Sequence, residues 1–153
     1  MRIQDIVSPE AIVDDLRADS KEGVLRELSE VIAKIVPKLS ADSLTAILME
    51  RESLGSTGIG DGVAIPHGKV GGIEHLVAAF GRSRNGVLFD SLDGKPAHLF
   101  FLIVAPEYSA GMHLKALARI SRLLKDERFR RSLLDAEDAD ELQRILREED
   151  AGS

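Results

Sequence analysis

The sequence predicts a single α/β domain in which a mixed β-sheet is sandwiched between helices, and three observations carry that expectation. Apolar residues recur at helical spacing near both ends of the chain, a block of extended segments fills residues 63–104, and no repeat, low-complexity tract or Pro/Gly/Ser linker separates them. Helices, then strands, then helices suit one sheet covered on both faces; they do not suit the strict alternation of a Rossmann fold. A length of 153 residues fits one domain, assigned to residues 1–150 with a disordered tail at 151–153.

The elements follow in chain order. Residues 11–16 read as a short strand. Ser20 is placed to cap a helix on which Leu25, Leu28, Ile32 and Ile35 recur up to Pro37. A second helix starts near Ser40 with Leu44, Ile47 and Leu48 as its stripe, and Arg51 falls on the same stripe. Four glycines between Gly55 and Gly62 disfavour regular helix and well-packed strand alike. Residues 63–69 read as extended chain and residues 76–81 as a strand. Asn85-Gly86 signals a turn before Val87, Leu88 and Phe89, and Asp93-Gly94 signals another. Residues 97–104 are almost continuously apolar, as a strand buried on both faces requires. A helix from Ala110 carries Leu114, Leu117, Ile120 and Leu124, and shorter helices fit 126–134 and 138–147. The acidic end from Glu148 onward is expected to fray.

Composition narrows the function. The formal net charge of −6 argues against a nucleic-acid partner, which needs a basic face to displace counterions, and against docking on anionic lipid. With no cysteine, disulfides, thiolate catalysis and Cys-based metal centres are excluded. The N-terminus has no signal-peptide apolar stretch, and the longest apolar run, 99–105, is too short to cross a bilayer. A cytoplasmic protein without membrane insertion is expected.

Of the four histidines, His67, His75, His98 and His113, no pair has metal-ligand spacing with carboxylates, so no metal is expected. No nucleophile elbow occurs, and the glycine loop is neither a P-loop nor a dinucleotide fingerprint, so no cofactor is expected. His67 stands out. Pro66 stiffens the backbone before it and Gly68 removes bulk after it, displaying the imidazole on an open stretch. A neutral imidazole, with an ordinary pKa of about 6.5, is a competent nucleophile toward phosphorus. Spacing alone fits an ordinary surface histidine as well. Arg51 leads into the glycine loop and suits either an anion or a snorkelling role at the helix C-terminus. His113 lies one turn into a helix, where free N–H groups attract phosphate, and a half-buried core histidine fits equally. Lys69 points to the same side as His67 in extended chain. Ser56 and Thr57 suit turn-holding, and His75 and His98 structural roles. Leu54, Ile59 and Met112 suit an apolar docking rim.

The stretch Arg51-Glu-Ser-Leu-Gly-Ser-Thr-Gly-Ile-Gly-Asp-Gly-Val-Ala-Ile-Pro-His67-Gly-Lys69 resembles the fructose/mannitol-type IIA proteins (EIIA type 2) of the bacterial phosphoenolpyruvate phosphotransferase system (PTS), most of all the nitrogen-regulatory IIA proteins. The likeness extends through residues 6–28 and from Ala105-Pro106 past His113 to the C-terminal helices. It implies a mixed sheet between helices, phosphorylation of His67 at a nitrogen left open, and active-site roles for His113 and Arg51. It also implies an HPr/NPr-like phosphocarrier as donor. Sugar-specific members pass the phosphoryl group to a IIB domain; nitrogen-regulatory members bind regulatory target proteins according to phosphorylation state. The absence of a fused IIB or membrane domain favours the regulatory expectation.

Overall fold

The structure is a computed structural model that describes residues 2–152. Its strands are β1 (Ile12–Val13), β2 (Gly58–Gly60), β3 (Val63–Ala64), β4 (His67–Val70), β5 (Val77–Val87) and β6 (Ala97–Pro106). They form one six-stranded sheet organised around β6. Along one side β6 pairs antiparallel with β5; along the other it pairs parallel with β3 and then β4, laid end to end. β1 adds parallel to β5, and β2 antiparallel to β3. The sheet is therefore mixed, as the sequence predicts. Every residue from Leu99 to Ala105 is buried. Since successive side chains point to opposite faces, both faces of β6 must be covered.

The helices do the covering. They are α1 (Ile3–Ile6), α2 (Lys21–Ile35), α3 (Ala41–Ser53), α4 (Ala110–Leu124), α5 (Glu127–Asp135) and α6 (Ala139–Gly152). Ser20, Ser40 and Asp126 cap α2, α3 and α5, each side-chain oxygen accepting a backbone N–H of the first turn. α2 and α3 pack on each other and on β5 and β4, while α4 and α5 pack on β6, and α6 on β1. Val24, Leu25, Leu28 and Ile32 of α2 and Ala116, Ile120 and Leu124 of α4 are buried. Tilted Phe80–Phe101 and edge-on Phe89–Phe100 pairs, with centroids 4.9 and 5.5 Å apart, lie within the core.

Four expectations are corrected. Asn85-Gly86 is not a hairpin turn: it lies inside β5, in a bulge between the Arg82–Leu99 and Val87–Ala97 pairings. Gly86, at φ +83°, lets the bulge close on the His98 ring, and a Cβ there would stand 2.7 Å from that ring. The reversal between β5 and β6 falls instead around Asp93-Gly94, where Asp93 accepts the Lys95 N–H. The stretch 63–69 is extended as expected, divided into two strands because Pro66 has no N–H to continue the ladder. The strand expected at 11–16 shrinks to Ile12–Val13, preceded by α1 and a 3₁₀ turn at Pro9–Ala11. Leu114 is exposed, and the buried stripe of α4 runs through His113, Ala116 and Ile120. The acidic end is helical to Gly152: Asp150 is buried, accepts the Ile3 and Gln4 N–H groups at 2.8 and 2.9 Å, and pairs with Arg119. Of the tail expected at 151–153, Ser153 lies outside the described residues.

Arg82 ties the two helix-bearing ends together. Only 1% exposed, it donates to the Asp14 carbonyl and carboxylate at 3.0 Å each and to the Leu133 and Ala136 carbonyls at 2.7 and 2.6 Å. Truncation leaves these acceptors facing a void. Arg82→Ala is expected to lower unfolding free energy by about 3 kcal/mol in chemical denaturation. Arg82→Lys is expected to restore little of it, because an ammonium cannot serve a forked acceptor set; a loss in Arg82→Ala below about 1 kcal/mol would contradict this cross-link.

Candidate functional site

The site forms where the C-terminal end of α3, the start of β4 and the first turn of α4 meet. His67 opens β4, in register with Ile103 of β6. Gly68 behind it is packed under α3, and a Cβ there would stand 3.1 Å from the Ile47 side chain. His67 is half-buried, and its Nδ1 lies 2.8 Å from the Ile65 carbonyl oxygen. A carbonyl only accepts, so this contact puts the ring proton on Nδ1 and leaves the lone pair on Nε2.

His113 stands beside it, the ring centroids 5.2 Å apart and the planes tilted by 54°. It sits in the first turn of α4, its backbone N–H bonded to the Ser109 carbonyl at 3.0 Å. His113 is buried, and its Nδ1 has no hydrogen-bond partner among the described residues. The helix start that carries it offers unpaired N–H groups and the positive end of the helix dipole. Arg51, in the last turn of α3, donates from Nη1 to the Gly55 carbonyl at 2.9 Å.

Electrostatics favour neutral rings. Burial pushes His67 below the ordinary imidazole value of 6.5; the bond to Ile65 opposes this, the Arg51 charge adds to it, and Glu52 opposes it. Burial likewise lowers His113, helped by His67 and then by Lys69. Arg51 and Lys69 are therefore the cations felt by the two rings. An imidazole with a free Nε2, a second imidazole, a guanidinium and a helix start suit attack on an electrophile that carries negative oxygens.

The structure thus brings His67 and His113 together, with Arg51 and Lys69 in electrostatic reach. It does not bring His75 or His98 there: His75 is exposed in a loop, and His98 is tied through Nδ1 to the Ser83 carbonyl at 2.9 Å. Ser56 holds the turn, donating to the Phe89 carbonyl at 2.6 Å and accepting the Gly58 N–H. The glycine stretch is more ordered than its composition predicts, with Gly58–Gly60 forming β2. Leu54, Ile59 and Met112 are exposed, as is Tyr108. No group of three or more His, Asp or Glu among the described residues could hold a metal ion, and no described helix is long and apolar enough to cross a membrane.

Sequence reasoning missed Glu52. It is buried, accepts both the backbone N–H and the hydroxyl of Thr57, and pairs with Lys21 at 2.9 Å. Its signal was present: Glu52 continues the stripe Leu44, Leu48 by the four-residue step. The Ile65 carbonyl left no such signal, since every residue has one.

Residues 5–149 match the model of a protein family described as phosphoenolpyruvate-dependent sugar phosphotransferase system, EIIA 2. The chain belongs to this family. Among its PTS EIIA relatives, a nitrogen regulatory protein of Bradyrhizobium diazoefficiens is 41% identical over 146 residues, covering 95% of each chain. A fructose-specific EIIABC component of Bacillus subtilis is 39% identical over 98% of this chain, which spans 24% of that longer protein. The crystal structure of the nitrogen regulatory protein IIA-Ntr from Neisseria meningitidis superposes with a TM-score of 0.87 at 36% identity, covering 94% of this chain and 98% of that one. The mannitol IIA structure from Escherichia coli shares the fold, with a TM-score of 0.75 at 24% identity over 90% of this chain and 96% of that one. Membership makes this chain a phosphotransferase component of the IIA type.

Both rings are expected to titrate below 6.5, as read by NMR of the ring protons against pH. An unfolded chain takes up these protons at the ordinary value, before the folded chain does. The depressed folded values therefore make stability fully present above 6.5 and lost as pH falls through the folded values. Midpoints above 6.5 for both rings would contradict this environment.

Proposed function

We propose that this chain is a phosphocarrier that accepts a phosphoryl group on Nε2 of His67 from an HPr/NPr-like protein and serves as a nitrogen-regulatory IIA signalling protein. The observation that carries this reading is the contact of His67 Nδ1 with the Ile65 carbonyl, which reserves Nε2 for chemistry beside the start of α4. In the transfer, the Nε2 lone pair forms a bond to phosphorus in line with the donor's P–N bond. That bond breaks, and its electron pair returns to the donor imidazole. The proton stays on Nδ1 of His67, donated to the Ile65 carbonyl. Arg51 and His113, with the N–H groups of the first turn of α4, neutralise the three equatorial oxygens. Arg51 can do so by exchanging the Gly55 carbonyl for a phosphoryl oxygen.

His67 is only half-buried, as a relay between proteins requires. Leu54, Ile59, Met112 and Tyr108 give the approaching donor an apolar rim. A hollow of about 560 Å³ lies beside the first turn of α4, between Ile73 and Tyr108. The neutral ring is ready to attack at pH 7, because burial disfavours its protonation. The regulatory reading follows the relatives named nitrogen regulatory protein. A second reading, a fructose- or mannitol-type IIA that hands the phosphoryl group to a IIB domain for sugar uptake, draws on the 39% identity to the fructose-specific EIIABC component.

Incubation with labelled phosphoenolpyruvate, the first enzyme of the system and the carrier tests the proposal. Wild type is expected to take up label and His67→Ala to take up none; equal labelling of the two would refute the assignment. Arg51→Ala and His113→Ala are each expected to slow uptake roughly 100-fold while the thermal midpoint stays near that of wild type. Unchanged rates in both would remove these residues from the mechanism. Adding a IIB domain and permease separates the two readings, because only the sugar-specific one yields phosphorylated sugar.

A further inference from the structure

We propose that Glu52 and Thr57 are positioning residues for His67, holding from behind the peptide carbonyl that keeps its Nε2 free; this rests on the phosphocarrier reading above. A run of hydrogen bonds, joined through the backbones of Thr57 and Ile65, carries the inference. Glu52 Oε1 accepts the Thr57 N–H at 3.1 Å, and Oε2 accepts the Thr57 hydroxyl. The Thr57 carbonyl accepts the Ile65 N–H at 3.0 Å. The Ile65 carbonyl accepts Nδ1–H of His67 at 2.8 Å. Pro66, the one residue between them, has a fixed φ. Its carbonyl is also engaged, accepting the Ile103 N–H at 2.9 Å.

Nothing in the packing calls for a carboxylate at Glu52. It stands one turn after Leu48 on the buried face of α3, where an aliphatic side chain would fill the space without desolvating a charge. The charge is instead kept and served. Lys21 Nζ lies 2.9 Å from Oε1, 3.3 Å from Asp90, and 5.0 Å from the centre of the Phe89 ring. Both carboxylate oxygens are spent on Thr57, so the effect of the ion pair is to immobilise that one residue. Without it, the Thr57 and Ile65 peptides are free to tilt, and the imidazole regains its choice of which nitrogen bears the proton. Glu52 also opposes the fall in proton affinity that burial and Arg51 impose on His67. Removing its charge moves the His67 titration down, whereas removing the Thr57 hydroxyl leaves that charge in place.

The test reads ring nitrogen shifts of the ¹⁵N-labelled full chain and label uptake from the phosphorylated carrier, in wild type, Glu52→Gln, Thr57→Val and Thr57→Ser. Wild type is expected to show His67 protonated on Nδ1 alone. Thr57→Val and Glu52→Gln are expected to show mixed tautomers and uptake slowed about tenfold, Thr57→Ser to restore both, and Glu52→Gln alone to lower the His67 midpoint. Wild-type tautomers in the folded variants, mixed tautomers with an unchanged rate, or loss of the fold in both Glu52→Gln and Thr57→Val would each overturn the positioning role. If wild type itself takes up no label, the phosphocarrier reading fails, and the nitrogen shifts still decide what holds the ring.

Discussion

One hydrogen bond organises the site: Nδ1–H of His67 to the carbonyl of Ile65. It turns a symmetric ambident ring into a directed one. It also dictates local backbone. Pro66 stands between that carbonyl and the ring, and its fixed φ limits how the two can face each other. Pro66 also divides the chain into β3 and β4, which both pair parallel with β6 in one register. The imidazole is thereby mounted on β4, paired to the central strand β6 rather than set on a loop, which suits chemistry that needs in-line approach.

The sheet also decides what surrounds the ring. β6 leads through its C-terminal end into α4, bringing the start of that helix alongside the start of β4 and placing His113 next to His67. α3 ends on the other flank, so Arg51 emerges at the mouth while Glu52, one residue later, turns inward. Adjacent residues of one helix thus divide the labour, the cation at the surface and the carboxylate beneath. The low proton affinity of both imidazoles follows from the same burial that positions them. Two neutral imidazoles beside a guanidinium and a helix start suit a domain that receives a negatively charged group.

Much of this was legible in the sequence, and the failures have physical reasons. Apolar stripes located α2, α3 and α4, and the unbroken run at 97–104 located β6, because burial on both faces leaves no alternation to hide. His67 and Arg51 were singled out through a long motif and His113 through the likeness that runs from Ala105-Pro106 past it; their convergence depends on the fold. Asn85-Gly86 misled because a local turn preference says nothing of the His98 ring against which Gly86 packs. The acidic C-terminus misled for a similar reason: Asp150 is a poor core residue until the N–H groups of Ile3 and Gln4 arrive from the far end of the chain. Glu52 was passed over, although its place on the stripe of Leu48 marked it as buried. The Ile65 carbonyl was beyond reach, since a backbone acceptor has no signature and only its geometry makes it matter.

The most direct test is to identify the nitrogen that bears phosphorus in the phosphorylated, ¹⁵N-labelled chain, through the one-bond ³¹P–¹⁵N coupling at His67. Coupling to Nε2, with Nδ1 still protonated, is the predicted result. Coupling to Nδ1 would mean that the Ile65 carbonyl does not hold the ring as described, and would contradict the account at its root.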